Sequence, residues 1–165
     1  MMIEIILRNL YRQFMTEFPE DERPTEDEFV KYYTTDKYVS HHKLLTDIGY
    51  LLLWCELDCG VKVIEFFVVD KNLRNHGIGT KVFTDWLHSF NEIPKLMCEV
   101  DSEGGKRFWS RFGINQVENF NYVQPPLSES QDEVSSLMLS TNFTADHDFL
   151  NQVIREWYKY GFGIE

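Results

Sequence analysis

Residues 61–90 read VKVIEFFVVD KNLRNHGIGT KVFTDWLHSF and contain two different hydrophobic patterns. The run Val61–Val69 is short, β-branched and aromatic, which is typical of a strand covered on both faces. Beyond it the apolar residues recur at helical spacing, at Ile78, Val82, Phe83, Trp86, Leu87 and Phe90. The sequence therefore predicts a strand over 61–69 and an amphipathic helix over 78–90.

The loop between these two elements, Arg74-Asn-His-Gly-Ile-Gly79, favours binding of an anion. Gly77 and Gly79 have no Cβ, so the backbone can turn tightly and approach a ligand. The first N–H groups of the helix have no intrahelical partners, and the positive end of the helix dipole points at them. This arrangement predicts a cradle for a pyrophosphate.

Three phosphate motifs can be compared with this loop. A dinucleotide fingerprint needs a third glycine three residues after Gly79, where the chain has Val82. A P-loop needs Gly-Lys-Ser/Thr, whereas the chain has Gly79-Thr-Lys81. The pattern that fits is Arg/Gln-x-x-Gly-x-Gly/Ala between a strand and a helix. It resembles the acetyl-CoA signature of the GNAT superfamily of acyl-CoA N-acyltransferases.

A second segment supports the same resemblance. Lys95–Val100 has the pattern of a short strand, and residues 106–114, KRFWSRFGI, are similar to the later helix of the superfamily, which ends in aromatic-Tyr-x-x-x-Gly-Phe. Gly113 is placed as a left-handed helix stop. The two segments occur in the order found in the superfamily, and the resemblance covers residues 61–114, about a third of the chain.

The resemblance implies an α/β (α+β) fold. We expect a GNAT-like mixed, mostly antiparallel central sheet flanked by helices, with a C-terminal amphipathic helix, in a single domain over residues 1–165. The helix over 78–90 should cross over to the strand at Lys95, which then pairs parallel to the strand over 61–69. A helical stripe from Met2 to Phe18 favours a helix at the N-terminus over the first strand of the family.

Local patterns predict the other elements. The capping box Thr25-Glu-Asp-Glu28 opens a second helix through about Tyr33. The remaining elements expected, in chain order, are two strands over 38–45 and 48–57 around a turn at Thr46-Asp47, a strand from Gly113 to about Val123, a last strand through residues 137–139, and a closing helix stopped by Gly161.

The resemblance also implies a binding site for acetyl-CoA. In the superfamily, the strand backbone just before the signature binds the acyl and pantetheine portions, which here falls on Phe67, Val68 and Val69. Arg74 and the main chain of the loop and helix start would hold the pyrophosphate. The main-chain residues in question are Asn75, His76, Gly77, Ile78, Gly79 and Thr80.

Two glutamates are candidates for the base that takes a proton from the amine. Glu99 stands in Cys98-Glu-Val100, similar to the Leu-Glu-Val found on that strand in some family members. Glu65 is expected on the same strand face as Phe67 and Val69. A strand glutamate is more often a solvated residue or a salt-bridge partner, so both assignments stay open.

The acid that protonates the leaving thiolate departs from the family pattern. The family commonly uses a tyrosine in the later helix, and the matching position is Trp109, whose indole cannot serve. Tyr122 could supply a hydroxyl from another strand. Direct departure of the thiolate to water, or a covalent intermediate on Cys98, are alternatives.

Composition restricts the partners. The formal net charge of −11 argues against nucleic acid, whose phosphates would be repelled. Acidic residues dominate 17–28, which favours a cationic acceptor on that side. Basic residues cluster around the two cofactor segments, at Lys71, Arg74, Lys81, Lys106 and Arg107.

Two further exclusions concern membranes and metals. No apolar run approaches the length of a membrane span and no signal segment opens the chain, so we expect a soluble, cytoplasmic protein with no membrane partner. The three cysteines lack metal-like spacing. His41 and His42 should point to opposite faces of a strand, so no metal site is expected.

Three hypotheses on function follow. The first is an N-acetyltransferase that moves an acetyl group from acetyl-CoA to a primary amine by direct attack in a ternary complex. The second is a catalytically inactive acyl-CoA-binding or sensor module, and the third is a structural protein whose glycines serve packing. The closing helix packs on its own domain or on a second subunit, so we expect a monomer or a homodimer.

Overall fold

The structure is a computed structural model that describes residues 1–120, 122 and 138–163. The strands of these residues are β1 (His42–Asp47), β2 (Tyr50–Glu56), β3 (Val61–Val69), β4 (Lys95–Val100), β5 (Asn115–Gln116) and β6 (Met138–Thr141). They form one sheet in the order β1-β2-β3-β4-β6-β5. Neighbouring strands are antiparallel except for β3 and β4, which pair parallel as expected from the crossover.

Helices cover both faces of this sheet. The helices of the described ranges are α1 (Met2–Phe14), α2 (Glu26–Thr34), α3 (Asp36–Val39), α4 (Ile78–His88), α5 (Glu103–Ser110) and α6 (His147–Trp157). Alternate residues of the central strands point to opposite faces, so Leu51 and Leu53 of β2 contact α1 and α2 whereas Leu52 contacts α4. The predicted mixed sheet flanked by helices is confirmed.

The two helices predicted near the N-terminus are confirmed. The N-terminal stripe forms α1, which buries Leu7, Tyr11 and Phe14. The predicted capping box opens α2, because the Thr25 hydroxyl accepts from the Glu28 N–H and the Glu28 carboxylate accepts from the Thr25 N–H. None of the helices in the described ranges is long and apolar enough to cross a membrane.

The end of the chain differs from the prediction. Gly161 does not stop α6, because the helix continues into one π-helical turn, Tyr158–Phe162. The chain then leaves the helix at Gly163, whose φ of +72° is the left-handed conformation that suits glycine. The turn carries Phe162 to the side of the sheet occupied by α6, where it packs on Trp157 and Tyr158.

Two predicted strand boundaries are wrong near β1. Residues 38–41 are not extended, because α3 buries the Tyr38 ring edge-on against Tyr32 before β1 begins at His42. The hairpin turns at Ile48 and Gly49, not at Thr46-Asp47, because Gly49 takes a φ of +92° and Asp47 pairs with Tyr50.

The strand predicted from Gly113 to about Val123 is short in the described part. It comprises β5, and the chain turns at Asn119, which has a φ of +56°. Tyr122 is described and is not in a strand. Asn121 and 123–137 lie outside the described residues, and the rest of this predicted strand and the start of the last strand fall there.

A β-bulge in β3 determines where Glu65 points. Leu53 pairs with Phe66 and Trp54 pairs with Ile64, so Glu65 is an extra residue with no partner on β2. The bulge reverses the alternation of side chains, and Glu65 contacts Trp157 of α6 whereas Phe67 packs against Phe83 of α4. The expectation that Glu65 shares a strand face with Phe67 and Val69 is therefore wrong.

The parallel pairing of β3 and β4 is incomplete, and this opens a site. The register runs from Val61 with Lys95 to Ile64 with Cys98 and ends there. Beyond this point the two strands separate, with Glu65 on one and Glu99 on the other. The carboxyl ends of the parallel pair therefore border a cleft, as expected for a ligand site in such a sheet.

Candidate active site

A cleft of about 800 Å³ lies between the separated ends of β3 and β4. Its walls are the loop before α4, the end of β3, α5, and the residues at the end of α6. Of the residues predicted for the site, those in the wall are Glu65, Phe67, Val69, Arg74, Asn75, Gly77, Ile78, Gly79, Thr80 and Glu99. Val68 and His76 are not in the wall, because Val68 packs toward α1 and α2 and the His76 Nδ1 donates back to the Arg74 carbonyl at 2.8 Å.

The N-terminus of α4 opens onto this cleft without a side-chain cap. Gly77 is the N-cap residue with a φ of +75°, and within the described ranges no side chain accepts from the first turn of α4. In α2, α5 and α6 the side chains of Thr25, Ser102 and Asp146 accept from a first-turn N–H. The first turn of α4 thus lacks the internal acceptor that those helices have, and its N–H groups and dipole suit an anion.

Arg74 is held by the strand that precedes it. Its Nε donates to the Val69 carbonyl at 2.9 Å, and its guanidinium lies 3.4 Å from the Glu17 carboxylate. The Val69 carbonyl is therefore engaged inside the protein. The guanidinium stays at the edge of the cleft, beside the uncapped helix.

Glu99 is hydrogen-bonded to a buried tyrosine. The Tyr122 hydroxyl donates to the Glu99 Oε2 at 2.9 Å, and the Tyr158 hydroxyl lies 2.6 Å from that of Tyr122. Burial first, and then the charge of Glu99, raise the pKa of Tyr122 well above its usual value. Both tyrosines stay protonated, and neither belongs to the cleft wall.

Glu65 forms a buried ion pair. Its Oε1 lies 3.2 Å from the His42 Nδ1 without good hydrogen-bond geometry, and its Oε2 accepts from the Trp157 Nε1 at 3.2 Å. The side chains of His42 and Glu65 are 1% and 3% exposed. Burial alone would lower the pKa of His42, but the Glu65 carboxylate outweighs it and raises that pKa above its usual value. The Glu65 carboxylate therefore favours the imidazolium form of His42.

His42 also forms a hydrogen bond to the C-terminal segment. The His42 Nε2 donates to the Gly161 carbonyl at 2.7 Å, and the ring stacks on Tyr32 with the centroids 4.9 Å apart. The expectation that His41 and His42 are strand neighbours on opposite faces is wrong, because His41 precedes β1 and stacks on Tyr160. Donor atoms of His42, Cys55 and Glu65 lie within 4.8 Å of one another. The ion pair accounts for two of them, and burial raises the pKa of the Cys55 thiol far above its usual value.

Solved structures share this architecture. A protein from Bacteroides thetaiotaomicron described as an acetyltransferase of the GNAT family has a TM-score of 0.76 at 20% identity, covering 98% of this chain and 95% of that chain. The chain has the GNAT fold. Ard1 from Thermoplasma volcanium gives 0.57 at 14% identity, covering 87% and 94% of the two chains. The ribosomal-protein-S18-alanine N-acetyltransferase from Escherichia coli gives 0.54 at 13%, covering 88% and 91%. No family model matches the sequence, and no curated protein matches it.

The environments of Trp109 and Cys98 bear on two predictions, the missing general acid and a covalent intermediate on Cys98. Trp109 on α5 lines the cleft and packs against Phe67 and Phe83, with centroids 6.1 Å and 5.0 Å apart. Cys98 also lines the cleft, but burial and then the charge of Glu99 raise the pKa of its thiol well above the usual value. A thiol that is not ionised is a poor nucleophile, which disfavours a covalent intermediate on Cys98.

Three interactions were not predicted from the sequence. They are the Tyr158–Tyr122 contact, the pair of His42 with Glu65, and the bond of Trp157 to Glu65. Tyr158 and Trp157 were predicted as members of an apolar helical stripe, and the partners in the three interactions lie 23 to 92 residues apart in the sequence. One signal was available, because a buried Trp or Tyr usually has a hydrogen-bond partner for its polar atom.

Proposed function

We propose that residues 1–165 form one acetyltransferase domain that transfers an acetyl group from acetyl-CoA to a primary amine by direct attack in a ternary complex. One observation carries the proposal: the uncapped N-terminus of α4 and the Glu99 carboxylate open into the same cleft. An anion site and a candidate base in one cavity are what a thioester with a pyrophosphate handle and an amine require. The GNAT fold agrees with this combination.

The residues present fit acetyl-CoA, which supplies an activated acetyl group as a thioester when bound. The first-turn N–H groups of α4 and the Arg74 guanidinium would hold the diphosphate. The edge of β3 beyond Ile64, where pairing with β4 has ended, would bind the amide groups of the pantetheine arm. A Cβ at Gly79 would lie 3.5 Å from Phe108 and 3.6 Å from Val69, so glycine keeps this passage open.

Glu99 is the base that we propose. Its carboxylate accepts from the Tyr122 hydroxyl and lines the cleft, where it would take the proton that an alkyl ammonium must lose before attack. Glu65 fits the role less well, because its side chain is 3% exposed and forms a buried ion pair with His42. Tyr122 stands behind Glu99, so we propose that it acts on Glu99 rather than as the acid for the thiolate.

The acceptor that we propose is cationic. Glu22 and Asp101 line the cleft together with Glu99. Burial first, and then the charge of Asp101, raise the pKa of Glu22 above its usual value, so a cation bound there would relieve the repulsion between the two carboxylates. Phe18, Trp157 and Phe162 also line the cleft, and aromatic faces attract ammonium groups.

Release of free thiol from acetyl-CoA against a panel of amines tests the function. The panel pairs diamines with monoamines of equal length and with amino acids that carry an extra carboxylate. We expect thiol release that depends on the amine and is fastest with the diamines. Acetyl-CoA binding by calorimetry without release would instead support the sensor module, and absence of binding would leave the structural hypothesis.

Replacement of Gly79 is expected to block the cofactor. The γ-carbons of Gly79→Val would fill the space between Phe108 and Val69, and we expect acetyl-CoA affinity to fall at least about tenfold, or about 1.4 kcal/mol. Gly79→Ala adds a Cβ at ordinary contact distance and should change affinity little. Isothermal titration calorimetry measures both, with circular dichroism to verify folding.

Gly77 provides the matched backbone control. A Cβ there would meet nothing within 4 Å, but the φ of +75° would strain any other residue. Gly77→Ala should therefore lower stability by about 1 kcal/mol through backbone strain, with no clash of the new Cβ against a neighbouring side chain. Wild-type affinity in a folded Gly79→Val protein would contradict the proposed path of the cofactor.

A further inference from the structure

A chain of hydroxyl groups leads from α6 to the cleft. The Tyr158 hydroxyl is 2.6 Å from the Tyr122 hydroxyl, which in turn donates to the Glu99 Oε2 at 2.9 Å. Tyr122 and Tyr158 are 6% and 5% exposed, whereas Glu99 stands in the cleft wall. Two buried hydroxyl groups therefore lead to the carboxylate of Glu99, which lines the cleft.

The direction of these hydrogen bonds follows from the chemistry of Glu99, the residue at which they end. An ionised carboxylate accepts hydrogen bonds and donates none. The single hydroxyl hydrogen of Tyr122 is therefore given to Glu99, and the hydrogen between the two tyrosines is that of Tyr158. Hydrogen bonds aligned in this way polarise one another, so Tyr158 strengthens the bond that Tyr122 makes to Glu99.

Two adjacent residues at the end of α6 are hydrogen-bonded, directly or through Tyr122, to two carboxylates of the cleft. Trp157 donates to Glu65, and Tyr158 reaches Glu99 through Tyr122. The two rings stack with centroids 5.0 Å apart, at the point where α6 passes into its π-helical turn. Such turns re-aim side chains and occur at functional sites. The junction of α6 with this turn therefore carries a side chain that leads to each of the two glutamates.

We propose that Tyr158 is a positioning residue that, through Tyr122, fixes the orientation of the Glu99 carboxylate and keeps it ionised. The proposal rests on the proposed function, in which Glu99 is the base. Among the described residues, titratable groups near Glu99 include Cys98 on its own strand, Tyr122, Tyr158 after α6, and Glu65 on β3. Burial raises the pKa of both tyrosines, so their hydroxyls remain donors at any pH where the protein is folded and Glu99 titrates.

The test is the titration of Glu99 itself, which requires no activity. Protein labelled with 13C at the glutamate carboxyl carbons is followed by NMR against pH, and Glu99→Gln assigns the resonance. We expect Tyr122→Phe to move the Glu99 midpoint upward by about one pH unit, because a donor to the charged form is lost. Tyr158→Phe should move it in the same direction by a smaller amount, and the acid limb of kcat/KM should follow in both variants.

Tyr160→Phe is the matched control. It removes a hydroxyl from the same turn, but Tyr160 stacks on His41, away from Glu99, and its variant should leave the midpoint unchanged. A shift with Tyr122→Phe and none with Tyr158→Phe would overturn the proposal. If Tyr158→Phe does not fold, the proposal is tested instead on protein that keeps Tyr158, by the NMR resonance of the Tyr158 hydroxyl proton. We expect it to move on Glu99→Gln, and an unmoved resonance would overturn the proposal.

The two proposals fail in different ways. If the midpoints shift as expected and no amine is acetylated, the role of Tyr158 stands and the proposed function is wrong. If amines are acetylated and the Glu99 midpoint is the same with and without the Tyr158 hydroxyl, the function stands and the role of Tyr158 is wrong.

Discussion

Glu99→Gln is expected to lower kcat about 100-fold or more while the affinity for acetyl-CoA stays nearly unchanged. The amide keeps the size of the side chain but cannot take the ammonium proton, and a positioned base typically contributes 10²–10⁴-fold. Glu99 is on β4 and not in the first turn of α4, so the substitution leaves the residues of the proposed diphosphate site unchanged. Steady-state thiol release across several amines measures kcat, and calorimetry measures binding.

The control is Glu92→Gln, an exposed glutamate between α4 and β4, which should keep wild-type turnover. A base that must be ionised also gives a rate that rises with pH, and Glu99→Gln should remove that rise. If Glu99→Gln keeps the wild-type turnover and pH profile, the amine loses its proton elsewhere and positioning supplies most of the acceleration. If a folded Glu65→Gln alone shows the loss, the base is on β3.

Glu65→Ala is expected to lower the free energy of unfolding by about 3–5 kcal/mol, because it leaves the buried His42 imidazolium without its carboxylate. The substitution also removes the acceptor of the Trp157 N–H and weakens the tie between β3 and the end of α6. Denaturant unfolding monitored by tryptophan fluorescence measures the change. Glu56→Gln is the matched control, because its contact with Lys62 at 3.2 Å is half exposed and should be worth about 1 kcal/mol or less.

The pH dependence of the free energy of unfolding tests whether the pair of His42 with Glu65 causes this loss of stability. The pKa of His42 is raised in the folded protein, so its contribution to stability is complete below the unfolded value of about 6.5. That contribution is lost as the pH rises through the folded pKa. Wild-type stability should therefore fall over this window relative to His42→Gln, and the double variant His42→Gln/Glu65→Gln should cost less than the sum of the two single changes. A Glu65→Ala protein within about 1 kcal/mol of wild type would contradict the structural role of the pair.

The local sequence determined the elements that build the proposed cofactor side. The strand over 61–69, the glycine loop and the helix that begins at Ile78 are consecutive, so periodicity and turn residues specify them without help from distant parts of the chain. The capping box of α2 and the parallel pairing of β3 with β4 were predictable for the same reason. Gly77 and Gly79 could therefore be placed at the cleft from the sequence.

The tertiary structure decided what each carboxylate does. Alternation along a strand assumes a regular ladder, but the bulge at Glu65 depends on the register with β2, which β3 alone does not encode. His42 meets Gly161 across 119 residues, and Tyr158 meets Tyr122 across 36. Such contacts form when α6 packs on the sheet, because burial forces the polar atoms of Trp157, Tyr158 and His42 to find partners wherever the fold provides them. The sequence by itself therefore determined the elements around the cleft, and packing over long separations assigned Glu65 to an ion pair and Glu99 to the tyrosine chain.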